Sequence, residues 1–392
     1  MSRNRDYILY FYGYFTVQLI FIFFNVYLPV YFFIVLDVDR SELAIIQFFS
    51  YLALLIKPVI AIYFDKISPR NIKKKILSLS SVGIIFSFYL IILSLSYLIL
   101  FGIFFGINIA CTSIMDVMID KLIIEFSPNE KSKDTNALLT QIGSICGAIV
   151  PNLLFFFLFS DIYSYSTWNL FFIIGLISLF PLAAITFFLR KEILVVNYEK
   201  EEKIDSTKPK IGLKSIILMS SVLFLFYSER IYEYPLEPWI LNKYGEYYFS
   251  LFALLLIMLI IINALGLILG GIISNKLDRK KLLTISMLIY GILLIIVPFT
   301  NIFLFFLLFA IIQIVSGIIV INIISLMISY SHKKVFYFQI MALFGIISII
   351  LFIPLGTYLS NFIKTEFIIM TAGVLKLLAL IPILFLKVKP KE

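Results

Sequence analysis

Residues 228–239 read SERIYEYPLEPW. Glu229, Glu233 and Glu237 recur every four residues, a spacing that stacks three carboxylates on one helical face, and Arg230 stands three residues before Glu233, within reach of an ion pair. A second group, Asn108, Asp116, Asp120 and Lys121, interrupts another apolar run, and Lys57 is a lone cation in a third. Acids and bases held apart from water in this way move protons or bind polar solutes. Other chemistries lack their residues. His332 is the one histidine, and Cys111 and Cys146 are the only cysteines, so no metal-ligand cluster and no Cys-x-x-Cys pair can be assembled. A Gly-x-x-x-x-Gly-Lys-Ser/Thr phosphate loop is also absent. Neither a cofactor nor an enzymatic activity is expected, and uphill work must draw on a gradient.

The elements that position these residues follow from composition. Of 392 residues 62% are apolar and 14% charged, against about 45–50% apolar in ordinary soluble domains. Apolar runs of about twenty residues, enough to cross ~30 Å of hydrocarbon, occur at 8–36, 42–64, 76–95, 97–125, 136–159, 168–189, 215–242, 248–274, 282–300, 302–329, 335–359 and 365–386. The expected fold is an all-α polytopic membrane protein with twelve transmembrane helices and no separate globular head. The first run follows Arg3 and Arg5 and lacks a small-residue cleavage site, so it reads as an anchor.

Depth singles out the charges. At ~1.5 Å per residue, Glu229 lies about 20 Å into span 7 and Asp116 about 16 Å from the inner surface, where an ionised side chain costs at least ~2.5–3.5 kcal/mol without a partner or a wet cavity. Arg230 with Glu233, and Asp116 with Lys57, are the static pairings that compete with a working role; Lys57 is alternatively placed to snorkel about 10 Å to the inner face. Lys376 in span 12 has no partner that its sequence context supplies.

Orientation and division come from the cations. Of the 32 Lys and Arg, Arg40, Lys243 and Lys364 fall outside and Lys57, Lys121, Arg230 and Lys376 within spans, while the remaining 25 lie on one side. The positive-inside bias makes that side cytoplasmic, with both termini there, in the plasma membrane. The net charge of +9 is thereby a matter of topology and not of nucleic-acid binding. A polar linker at 190–214 divides a six-helix half, 1–189, from a second, 215–392. The halves read as diverged repeats: Pro29 matches Pro238 at an offset of 209, Asp65-Lys66 matches Asn275-Lys276 at 210, and Gly143 matches Gly345 at 202. Such repeats place a site between two pseudo-symmetric bundles.

The loop AIYFDKISPRNIKKK after span 2 resembles the signature of the major facilitator superfamily, Gly-x-x-x-Asp-Arg/Lys-x-Gly-Arg/Lys-Arg/Lys, and GIISNKLDRKK after span 8 is similar to its second copy. Ala61 and Ser68 replace the two glycines of the first copy; Asn275 and Asp278 depart from the second. A finer resemblance, in residues 111–151 with their Asp116-x-x-x-Asp120, is to the muropeptide and acetyl-CoA transporter branch. The resemblance implies a solute carrier that works by alternating access. Asp65 would face the N-terminal end of span 11 as a cytoplasmic gate, Asp120 would tie to Lys66 or Arg70, and Asn275 and Lys276 would serve the second half. Spans 1, 4, 7 and 10 line the cavity in the family, which brings Gln18, Asn25, Asn108, Gln313, Ser316 and Asn322 to the pathway with Asp116, Glu229, Arg230 and Glu233; each polar residue is alternatively a helix-to-helix hydrogen bond. The expected partners are a small organic solute, with carboxylates in excess favouring a cationic or zwitterionic one, protons as coupling ion, and the lipid bilayer. The chain is expected to work as a monomer. A uniporter, a lipid mover or a non-transporting scaffold is the alternative.

Overall fold

The computed structural model describes residues 3–66, 70–125, 130–159, 163–188, 213–244, 249–274, 277–331 and 335–386. Twelve helices long and apolar enough to cross a membrane lie among them: α1 (Tyr7–Val35), α2 (Arg40–Phe64), α3 (Ile72–Ser94), α4 (Leu98–Ile123), α5 (Leu139–Leu158), α6 (Tyr165–Phe188), α7 (Lys214–Leu236), α8 (Leu254–Ile273), α9 (Arg279–Phe299), α10 (Ile302–Tyr330), α11 (Val335–Leu359) and α12 (Thr365–Phe385). They correspond one for one to the expected spans, and no strand occurs among the described residues. In hydrocarbon only a structure that satisfies its own backbone is tolerated. Polar residues mark several helix starts: Asp39 accepts from the Ser41 amide at 2.6 Å, Asp278 from Lys280 at 2.8 Å and Asn301 from Leu304 at 2.9 Å.

One buried core gathers α1–α6 together with Tyr234 of α7 and Val335, Ile346, Ile350 and Ile353 of α11, and a second lies within α7–α12. The same pairings recur in each half: α1 against α5 and α7 against α11, α3 against α4 and α9 against α10, α3 against α6 and α9 against α12. The halves meet where α2 lies on α11 and α5 on α8. Small residues set the closest approaches. A Cβ on Gly143 or Gly147 of α5 would come 2.3 or 2.2 Å from the carbonyl oxygens of Phe11 and Phe15 in α1, so these helices touch backbone to backbone. Gly345, matched to Gly143 in the sequence, packs at the corresponding place in the second half, against the Tyr227 ring of α7.

The first helix of each half departs from α geometry at the same point. In α1 residues Phe23–Tyr27 are wound as π-helix ahead of Pro29, and in α7 residues Ser228–Tyr232, 205 positions later, form a 3-10 turn ahead of Pro235 and Pro238. Such interruptions cluster where a helix serves a site, and prolines cannot donate the backbone bond that would restore the ladder.

The two ends of the bundle are named by the chain: the terminal end carries the start of α1 and the end of α12, the distal end the α1–α2 connection. At the distal end Arg40 donates to the Ser360 hydroxyl (3.1 Å) and carbonyl (3.3 Å), Asn361 donates to Ser41 (2.9 Å) and Thr357 to Gln47 (3.2 Å). Tyr234 of α7 donates to the Phe24 carbonyl of α1 at 2.7 Å. At the terminal end Gln339 of α11 donates to Asp120 of α4 at 2.7 Å.

Candidate functional site

The N-terminal half presents Lys57 of α2 and Asp116 of α4, paired at 2.5 Å with side chains 17% and 13% exposed. Lys57 therefore does not snorkel to the terminal face; a carboxylate one helix away neutralises it inside the membrane. One turn on, Asp120 accepts from the Tyr14 hydroxyl at 2.5 Å and from Gln339 at 2.7 Å. These two partners come from α1 and α11; the cations expected for Asp120, Lys66 and Arg70, have side chains outside the described residues. The neighbouring Lys121 turns away and donates to the Phe64 carbonyl at the end of α2. The side chains of Asp65, Lys66 and Arg70, and residues Asn275 and Lys276, fall outside the described residues, so the motif's gate is not part of this geometry.

The C-terminal half departs from the expected carboxylate stack. Because Ser228–Tyr232 is a 3-10 turn, about three residues rather than 3.6 complete a turn, and Glu229 and Glu233 take different partners. Glu233 pairs with Arg230 at 2.6 Å. Glu229 points into its own bundle, 3.0 Å from Nζ of Lys376 and bonded to the Tyr290 hydroxyl. The side chain of Glu237 lies outside the described residues. Lys376 has no exposed surface; its ammonium also donates to the Phe226 carbonyl at 2.5 Å and sits over the rings of Phe226 (3.4 Å) and Tyr290 (4.6 Å). Burial of an ion is tolerated when each such demand is met.

Tyrosines join the two groups. Tyr227 of α7 feels the charges of Lys57 and Asp116 as well as those of Arg230 and Glu229. Arg230 reaches across to α1, its guanidinium 4.8 Å from the centre of the Phe21 ring, and Tyr51 of α2 faces Tyr234, Glu233 and Arg230. The site is thus a strip of paired charges and phenols along the seam between the halves. Tyr14, Tyr51, Tyr227, Tyr290 and Gln339 were not among the sequence-derived candidates. The available signal was tyrosine at mid-span depth, away from the interfacial belts where its amphipathic ring normally sits.

Of the remaining expected pathway residues, Asn25 accepts from Tyr51 and so belongs to the strip. Asn108 does not: with no exposed surface it donates to the Ile84 carbonyl (3.0 Å) and Ser87 (2.9 Å) of α3, which makes it glue within one bundle. Asn322 donates to the Ile318 carbonyl of its own helix. Gln313 is engaged by Asn263 of α8 at 3.0 Å, and Ser316 stands beside Tyr290. Gln18 is half-buried on α1.

The family profile described as Major Facilitator Superfamily matches residues 1–151 and 218–392. The chain belongs to the major facilitator superfamily. Among solved structures it is similar to the inward open conformation of the xylose transporter XylE from E. coli, with a TM-score of 0.71 over 98% of this chain and 95% of that one, at 13% identity. That likeness is one of fold. No curated protein matches the sequence. Membership makes this superfamily protein an integral, multi-pass membrane transporter of small solutes and not an enzyme. The match is to the superfamily as a whole.

Proposed function

We propose that the protein is a secondary active transporter that carries a small organic solute across the plasma membrane by alternating access, coupled to protons and working as a monomer, with the terminal end cytoplasmic. The observation that carries this reading is one ion pair from each half at the seam: Lys57–Asp116 on helices α2 and α4, which meet α11, and Arg230–Glu233 with its guanidinium against Phe21 of α1. A solute bound there touches both bundles, so its binding energy depends on how they are rocked.

Two carboxyls were candidates for the coupling proton. The two carboxylates are about equally exposed, 13% for Asp116 and 12% for Glu229, and Asp116 is favoured because its cation, Lys57, is itself 17% exposed and open to displacement by a solute, whereas Lys376 has no exposed surface. A carboxylate beside a cation stays ionised, and one desolvated without it takes up a proton, so a solute that displaces Lys57 would couple the two. The test starts with thermal-shift screening of purified protein against metabolites, since a ligand at 100 times its Kd adds about 2.7 kcal/mol of stability. The identified solute is then followed in proteoliposomes with an imposed pH gradient. Asp116→Asn is expected to abolish accumulation and to preserve counterflow. Undiminished accumulation by both Asp116→Asn and Glu229→Gln would move the coupling proton to another group, and a parent protein that shows counterflow but no accumulation under the gradient would be a uniporter.

A further inference from the structure

Lys376 takes no part in the strip, yet its ammonium meets a carbonyl, a carboxylate and two aromatic rings. In an α-helix the Phe226 carbonyl would accept from the amide of Arg230, four residues on. The 3-10 turn at Ser228–Tyr232 shifts bonding to three-residue spacing, and where the two spacings meet the backbone ladder is irregular. Carbonyls at such a junction inside a membrane are costly unless side chains help to satisfy them. Here the Ser228 hydroxyl donates to the Leu225 carbonyl at 2.7 Å and Nζ of Lys376 to the Phe226 oxygen at 2.5 Å. The same ammonium holds Glu229 at 3.0 Å, the second residue of the turn. On the neighbouring face Ser348 of α11 donates to the Phe224 carbonyl at 2.7 Å, and Gly356 lies so close to Ile231 that a Cβ there would sit 1.6 Å from its carbonyl oxygen. The break in α7 is thus gripped from α12 and α11, and the residue that emerges from it toward the other half is Arg230.

We propose that Lys376 is a positioning residue: it donates to the Phe226 carbonyl at the junction where α geometry gives way, stabilises the 3-10 turn, and through that turn sets Arg230 against Phe21 and Glu233 at the seam. Neutralising Glu229 is the lesser part of its role. In this role Lys376 acts on transport through where Arg230 stands. The consequence for transport rests on Arg230 belonging to the working site as proposed above; the position of Arg230 can be read without any solute.

The two roles separate in paired variants. Lys376→Met alone strands the Glu229 carboxylate and can fail to fold. The Glu229→Gln/Lys376→Met variant carries no unpaired charge but removes the side-chain donor from the Phe226 carbonyl, whereas Glu229→Gln alone keeps the Lys376 amine as donor. With 4-fluorophenylalanine at position 21, the fluorine resonance reports the guanidinium over that ring. The double variant is expected to shift this resonance to the position seen in Arg230→Gln and to speed amide exchange across 228–232 at least tenfold, with both quantities near those of the parent in Glu229→Gln. A double variant that keeps the parent resonance and exchange would reduce Lys376 to a counter-ion and overturn the proposal. Equal shifts in Glu229→Gln and the double variant would overturn it too, by moving the grip to Glu229. Either failure leaves the transport reading standing, and a failed flux assay leaves the fluorine result intact.

Discussion

Gln339→Leu should tilt the protein toward the state open at its terminal end. Gln339 and Asp120 are 2% and 7% exposed, and the amide reaches the carboxylate at 2.7 Å from the opposite half. A hydrogen bond to a charged group contributes about 1.5–3 kcal/mol. This bond exists only while α4 and α11 are together, so its removal acts on one conformation and not the other. Tyr14 still donates to Asp120 in the variant, which spares the carboxylate from being left wholly unpaired. The shift in the ratio of states is then roughly 10- to 150-fold. Arg40→Ala supplies the opposite sign: it deletes the bonds to Ser360 at the distal end, but Arg40 is half exposed, and such surface contacts contribute about 0.2–1 kcal/mol. Its shift is a few-fold at most, toward the distally open state. Spin-label pairs at Ile72 and Leu277 across the terminal mouth, and at Tyr163 and Phe362 across the distal one, all exposed, would read both distances in reconstituted protein. Identical distance distributions in Gln339→Leu and parent, or a shift of both variants in the same direction, would refute the latch.

Further outcomes follow from single contacts. In a cysteine-free background, cysteines at Tyr163 and Asn361 should react with an impermeant thiol reagent from outside and those at Ser206 and Leu277 should not, and exchange of either pair would reverse the proposed orientation. Lys57→Met should lower stability by about 3 kcal/mol by stranding Asp116, with most of the loss recovered in Lys57→Met/Asp116→Asn; additive losses in thermal melts would show that the pair is uncoupled. Gly356→Ala must push α11 away from the Ile231 carbonyl and should cost at least ~1–3 kcal/mol, whereas Gly271→Ala meets nothing within 4 Å and should melt within a degree or two of the parent.

Much of the architecture was open to reading along the chain, because a bilayer imposes one-dimensional rules. Hydrocarbon thickness sets the length of each apolar run, and the cation bias sets its direction; hence the twelve helices, the superfamily motif around Asp65 and the paired halves were all legible. The acids and bases within spans were legible too, since their cost marks them wherever they stand. Asn108 misled: a polar residue that binds a neighbouring helix and one that faces a solute look alike in sequence, and only burial against Ile84 and Ser87 separates them.

What sequence by itself determined is therefore the list of charges, their approximate depth and the number of helices that carry them. Which charge meets which was decided by packing. Asp120 finds Gln339 across 219 residues and Lys376 finds the Phe226 carbonyl across 150, separations over which no spacing rule operates. The stacked glutamates of α7 came apart because the turn at Ser228–Tyr232 departs from the α period, with Ser348 of α11 and Lys376 of α12 bonding the backbone just ahead of it. An ion in hydrocarbon must be paired, but where its partner waits depends on how helices rotate about their axes, and that rotation is set only when close approaches such as Gly143 on Phe11 and Gly356 on Ile231 are made.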